Sequence, residues 1–149
     1  MRRPAPRHLV ATAAAVSAFA SAASINFSGI PPLGWYGMQM IPCDLCWYQR
    51  ILMYPLPVLL GIAYARRDWR GGAIQGLALA VPGFLVAVFH SLVEHYPDLE
   101  PGQCSLVSCS ARVWELLGLS IPNWSALAFL VVGACCAGVL GSRHGDAAD

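Results

Sequence analysis

Six cysteines in 149 residues are spaced for sulfur chemistry. Cys43 and Cys46 form a C-x-x-C within "PCDLCWYQR". Cys104 and Cys109 stand four residues apart in "GQCSLVSCSAR", and Cys135 and Cys136 are adjacent in "VVGACCAGVL". Two cysteine pairs allow structural disulfides, a four-thiolate zinc site or thiol–disulfide exchange. The short spacer lets a flexible loop bring Cys104 and Cys109 to disulfide distance. Local chemistry favours exchange. Pro42 suits the first position of a helix. That would place Cys43 and Cys46 in the first turn, at the positive end of the helix dipole, where thiolate is favoured. Arg50 follows Cys46 by four residues, on the same helical face. A guanidinium at or under a bilayer interface is costly and usually marks function. Here it would stabilise a Cys46 thiolate or an anion developing on a bound acceptor, unless it only snorkels to the headgroups. His90 and Glu94, also four apart, can pair. His95 reads as an interfacial surface residue, and Cys135 and Cys136 as small packing residues.

The elements that must carry these residues are apolar. The chain is 57% hydrophobic and 11% charged, against about 25% charged in a soluble domain. Apolar runs at roughly 9–29, 43–64, 71–93 and 122–141 each have about the 20 residues that a bilayer crossing needs. The expected fold is an all-α membrane protein, a four-helix transmembrane bundle forming one domain over 1–149. Two outward-facing loops would carry the cysteine pairs. Pro55, Pro57 and Pro82 fall inside spans, so local kinks are expected in the second and third helices. Residues 110–120, "SARVWELLGLS", suggest a short interfacial helix with Val113, Leu116 and Leu117 on one face. It would be either a hinge for the loop cysteines or an ordinary interfacial segment.

Orientation follows from arginine, the type of all nine basic residues. Arg2, Arg3 and Arg7 precede the first span, Arg66, Arg67 and Arg70 fill the middle loop, and Arg143 follows the fourth. The positive-inside rule makes both termini and that loop cytoplasmic. Cys43, Cys46, Cys104 and Cys109 then face the oxidising side. Trp35, Tyr36, Trp47, Tyr48, Tyr96, Trp114 and Trp124 would form an aromatic belt there. A cleaved signal peptide is the rival reading of the N-terminus. It would leave three spans with the cysteines still outside. The net charge of +1 implies no nucleic-acid partner.

"PCDLCWYQRILMYP", the later cysteine pair and "SIPNWSALAF" at the fourth span together resemble the disulfide bond formation protein B family. The likeness is to its short members, often called BdbC, and covers essentially the whole chain. The resemblance implies a bacterial inner (plasma) membrane oxidoreductase. Such an enzyme reoxidises a thioredoxin-fold dithiol oxidase of the DsbA or BdbD kind and passes two electrons to a quinone, ubiquinone or menaquinone. It would thereby support disulfide formation and folding of exported proteins. It implies Cys43 and Cys46 as the quinone-linked pair, with Cys46 facing the quinone and Arg50 beside it. Cys104 and Cys109 become the pair that meets the partner, Cys104 forming the mixed disulfide. His90 matches a quinone-side position, and no metal is implied. The four-residue spacing between Cys104 and Cys109 departs from the longer enterobacterial loop. A vitamin K epoxide reductase-like enzyme would put its loop pair before the C-x-x-C, the reverse of the order here. A membrane scaffold with two inert disulfides is the rival outside enzymology.

Overall fold

The computed structural model describes residues 5–27, 42–102, 108–112 and 115–142. Helix α1, Pro6–Phe27, is alanine-rich, and alanine is the strongest helix former. Helices α2, Asp44–Met53, and α3, Pro55–Arg66, follow. Helix α4 is Trp69–His95, and a 3-10 turn covers Pro97–Leu99. Strands β1, Glu115–Leu116, and β2, Leu119–Ser120, precede helix α5, Ile121–Ser142. Among the described residues three helices are long and apolar enough to cross a membrane: Pro6–Asn26, Trp69–His95 and Ile121–Ser142. They cover the first, third and fourth runs expected from sequence.

The run expected as one span over 43–64 is instead two helices of 10 and 12 residues. The cause is proline. Tyr54 keeps helical angles, φ −64° and ψ −34°, and its N–H donates to the Arg50 carbonyl. Pro55 and Pro57 have no N–H, so the hydrogen-bond ladder stops while the chain keeps turning. By contrast α4 runs unbroken through Pro82.

Arg67, at φ 58°, ends α3 in the left-handed region. Asp68 then caps α4, its carboxylate accepting from the Gly71 N–H at 2.9 Å. This tight corner folds α3 back along α4 and gathers Arg66, Arg67 and Arg70 at one end. Between the helices lies a core of Val10, Ala13, Leu56, Leu60, Ala73, Ala80, Ala87, Phe129, Val132 and Cys136. Gly83 on α4 is required by close approach, because a Cβ there would overlap the Phe129 ring. The outward faces are apolar too: Val58, Ile62, Val81, Leu85, Leu127 and Leu130 are exposed. Helices apolar on every face suit lipid. Ser17 and Ser21 of α1 face inward.

The helix expected over 110–120 is not formed. Residues 115–120 make an antiparallel hairpin pairing Glu115 with Ser120 and Leu116 with Leu119. Its turn residues, Leu117 and Gly118, have φ of 54° and 75°. Two successive positive φ values are the signature of the two-residue turn that matches strand twist. Glycine takes that geometry without strain, and no helix can contain it. Val113 and Trp114 lie outside the described residues. The hairpin is tied down at both ends. The Trp124 indole N–H donates to the Leu116 carbonyl at 3.2 Å, and the Ser120 hydroxyl donates to the Glu94 carboxylate.

Candidate active site

Cys43 does not lie inside the first turn of α2. It is the N-cap, extended at φ −71° and ψ 169°, and the helix begins at Asp44. Pro42 therefore stands before the cap and not at the first helical position, where sequence put it. Its fixed φ leads the chain into the cap instead. Cys46, two residues into the helix, brings its sulfur to 3.2 Å from that of Cys43. Both are free thiols. Cys43 is buried and Cys46 half-buried.

The buried face of α2 is Leu45, Gln49 and Met53, one residue per turn. A buried polar side chain requires a partner, and Gln49 finds it in His90, which is 3% exposed on α4. The Gln49 amide donates to His90 Nδ1 at 2.9 Å. That leaves the neutral ring's proton on Nε2. Nε2 donates to the Cys109 carbonyl at 3.2 Å, with the Cys43 sulfur at 3.6 Å. The pairing expected between His90 and Glu94 is absent among the described contacts: Glu94 accepts from Ser120 instead. Gln49 is a site residue that sequence reading missed. Its signal was a polar residue in register with Leu45 and Met53.

The second missed residue is Glu100. Its carboxylate accepts from the Cys109 N–H at 2.6 Å, from the Ser108 hydroxyl at 2.9 Å and from the Ser110 hydroxyl at 3.1 Å. The Ser108 hydroxyl and then the Cys109 amide hold this carboxyl below the ordinary glutamate range. No sequence spacing marks it, since it stands nine positions before Cys109. Cys109 itself is disulfide-bonded and 1% exposed. It packs in one small cluster with Cys43, Leu45 and Val93, beside Cys46 and Val86. The C-x-x-C helix, α4 and the second cysteine loop thus meet at one point. Cys104 lies outside the described residues.

Arg50 lies one turn beyond Cys46, half-buried, its guanidinium carbon 5.5 Å from the centroid of the Trp47 ring. That is a cation–π contact. Among the described residues Arg50 has no carboxylate partner. Trp47, Tyr48 and Ile51 of α2 are exposed. Cys136 is elsewhere, packed in the core at Gly76. His95 is exposed, its Nδ1–H donating to the Ser91 carbonyl. The site therefore offers a free dithiol, a disulfide-bonded cysteine packed against it, an imidazole between them and an uncompensated cation alongside. This set of groups can carry thiol–disulfide exchange.

Comparison with known proteins points the same way. Residues 6–139 match the family model described as disulfide bond formation protein DsbB. A probable disulfide formation protein of Oceanobacillus iheyensis is 40% identical over 99 residues, covering 64% of this chain and 68% of that protein. Probable disulfide formation protein C 2 of Bacillus anthracis is 39% identical over 97 residues, 64% of this chain and 69% of its own length. A Coxiella burnetii probable disulfide formation protein is 44% identical over 94 residues, covering 60% and 63%. No solved structure matches the chain.

Proposed function

Because this chain belongs to the disulfide bond formation protein DsbB family, we propose that it is a membrane dithiol:quinone oxidoreductase. In this reading it reoxidises an extracytoplasmic thioredoxin-fold dithiol oxidase of the DsbA or BdbD kind and passes two electrons to a membrane quinone. The observation that carries the reading is the packing of Cys109 against Cys43, with His90 touching both.

The α2–α3 segment is the remaining membrane span. Residues 44–66 at 1.5 Å per residue reach about 34 Å, enough for a hydrocarbon core of about 30 Å. Four spans then form one membrane domain, with the termini and the Arg66–Arg70 corner cytoplasmic. The cysteine pairs face outward.

A thiolate of the reduced partner attacks the Cys104–Cys109 disulfide through Cys104, forming a mixed disulfide. The partner's second thiolate resolves it. The partner leaves as a disulfide, and the loop pair has gained two electrons and two protons. The Cys109 thiolate then attacks Cys43 in the Cys43–Cys46 disulfide, and Cys46 departs as thiolate. Cys104 resolves the new bond, which restores the loop disulfide and leaves Cys43 and Cys46 reduced. The His90 Nε2–H stands where it can donate to a Cys43 thiolate, and Gln49 fixes which ring nitrogen carries that proton.

The residues fit a quinone: among the described residues Arg50 has no carboxylate to neutralise it, and Trp47 and Ile51 beside it are exposed. Arg50 and Trp47 would hold the head group. When bound, a quinone supplies a two-electron, two-proton acceptor for the dithiol.

The test uses purified protein in nanodiscs, a reduced thioredoxin-fold dithiol and a soluble quinone followed by absorbance. Wild type reduces the quinone and Cys46→Ala does not. Substantial turnover in Cys46→Ala, or none in wild type with either quinone class, would overturn the reading.

A further inference from the structure

Three soft or borderline ligand atoms converge at the site: Cys43 Sγ, Cys46 Sγ and His90 Nε2 all lie within 4.8 Å of one another. We propose that the reduced Cys43–Cys46 pair and His90 form a redox-gated Zn2+ site, whose occupation blocks thiol exchange. The proposal rests on the function above only in requiring that the pair pass through its dithiol state.

Geometry supports it first. Zinc–sulfur bonds of about 2.3 Å and zinc–nitrogen bonds of about 2.0–2.1 Å in a tetrahedron place ligand atoms roughly 3.5–3.8 Å apart. The sulfurs stand at 3.2 Å and the Cys43 sulfur at 3.6 Å from Nε2, each within a few tenths of an ångström of those values, and the Cys46 sulfur lies within 4.8 Å of the imidazole nitrogen. Charge supports it next. Two thiols bind one Zn2+ as two thiolates and release two protons. The product carries no net charge, which suits a largely buried site. The surrounding polar group is also present. When Nε2 ligates, the ring proton moves to Nδ1. A rotation of the Gln49 amide then presents Oε1 to accept it, as outer partners of zinc-bound histidines do. Only Cys46 is half-exposed, so the fourth position opens on its side, to water or an incoming thiolate.

Two consequences follow. Oxidation to the Cys43–Cys46 disulfide removes both sulfur ligands, so the oxidised protein has no site. Ligation also takes Nε2 from the Cys109 carbonyl, so the ion holds the pair reduced and loosens the loop cysteine from it. Zinc is redox-inert and cannot itself relieve the block.

The test uses full-length protein in nanodiscs, reduced with a phosphine and freed of reductant without air. Zn2+ alone is titrated against a chromophoric chelator, and Co2+ is substituted to read thiolate charge-transfer absorption. One Zn2+ per chain is expected for the reduced protein and none for the oxidised protein, which serves as a folded control. Gln49→Leu weakens binding about 10- to 100-fold, the range for lost outer partners, and His90→Ala weakens it further. The double variant Cys104→Ser/Cys109→Ser keeps the site. No stoichiometric binding, unchanged affinity in both His90→Ala and Gln49→Leu, or binding lost with the loop cysteines would each overturn the proposal. Chemical reduction makes the outcome independent of quinone. A chain that binds zinc but never reduces quinone refutes the function alone, and the reverse refutes the site alone.

Discussion

Glu100 gathers a backbone amide and two hydroxyls onto one carboxylate, and so fixes the backbone on both sides of Cys109. Because its carboxyl is held below the ordinary value, the clamp is fully present above about pH 4.3. It is lost as pH falls through the lower folded value. Protection of the Cys109 amide from hydrogen exchange, corrected for the intrinsic rate, should therefore drop on acidification below that range. Glu100→Gln should show weak protection and little of this pH dependence; an identical profile would remove Glu100 from the site. Arg50 makes a different prediction. Losing a hydrogen bond to a charged group costs about 1.5–3 kcal/mol. Arg50→Ala should then raise the quinone concentration for half-maximal rate roughly 10- to 100-fold. Single-turnover exchange with the reduced partner should be unchanged. An unaltered quinone dependence would make Arg50 a headgroup anchor. At this scale sequence offered the cysteines and Arg50 as candidates, because their types and spacing are local. It paired His90 with Glu94 because both sit on one helix. The true partner, Gln49, comes from another helix, and the choice depends on tertiary packing.

Helix contacts set how closely the site's supports approach. Gly83 meets the buried Phe129 ring, which has no room to move, whereas a Cβ at Gly61 on α3 meets nothing within 4 Å. Gly83→Ala should destabilise the bundle by about 1–3 kcal/mol through overpacking. Gly61→Ala should be neutral or stabilising by up to about 1 kcal/mol. Denaturant titration in mixed micelles compares the two, and equal effects would contradict the packing. The helices themselves were legible because runs of apolar residues bounded by arginine leave little choice in lipid. Two details were not. The division at Tyr54 depends on where Pro55 and Pro57 remove donors from the ladder. The hairpin at 115–120 depends on Leu117 accepting a left-handed conformation beside Gly118, against the helical spacing of Leu116 and Leu117. A turn of two residues decided that segment's structure.

The whole molecule places Cys109 over a C-x-x-C at the end of a helix, with α4 supplying the imidazole between them. Its architecture makes one claim above the others: Cys109 is the loop sulfur that exchanges with Cys43. The decisive measurement leaves one cysteine in each pair. In Cys46→Ala/Cys104→Ala, mild oxidation should trap a Cys43–Cys109 disulfide, identified by mass spectrometry of the linked peptides. In Cys46→Ala/Cys109→Ala the corresponding Cys43–Cys104 bond should form far more slowly. Failure to trap Cys43–Cys109 in folded protein, or faster trapping through Cys104, would contradict the exchange step on which the account depends.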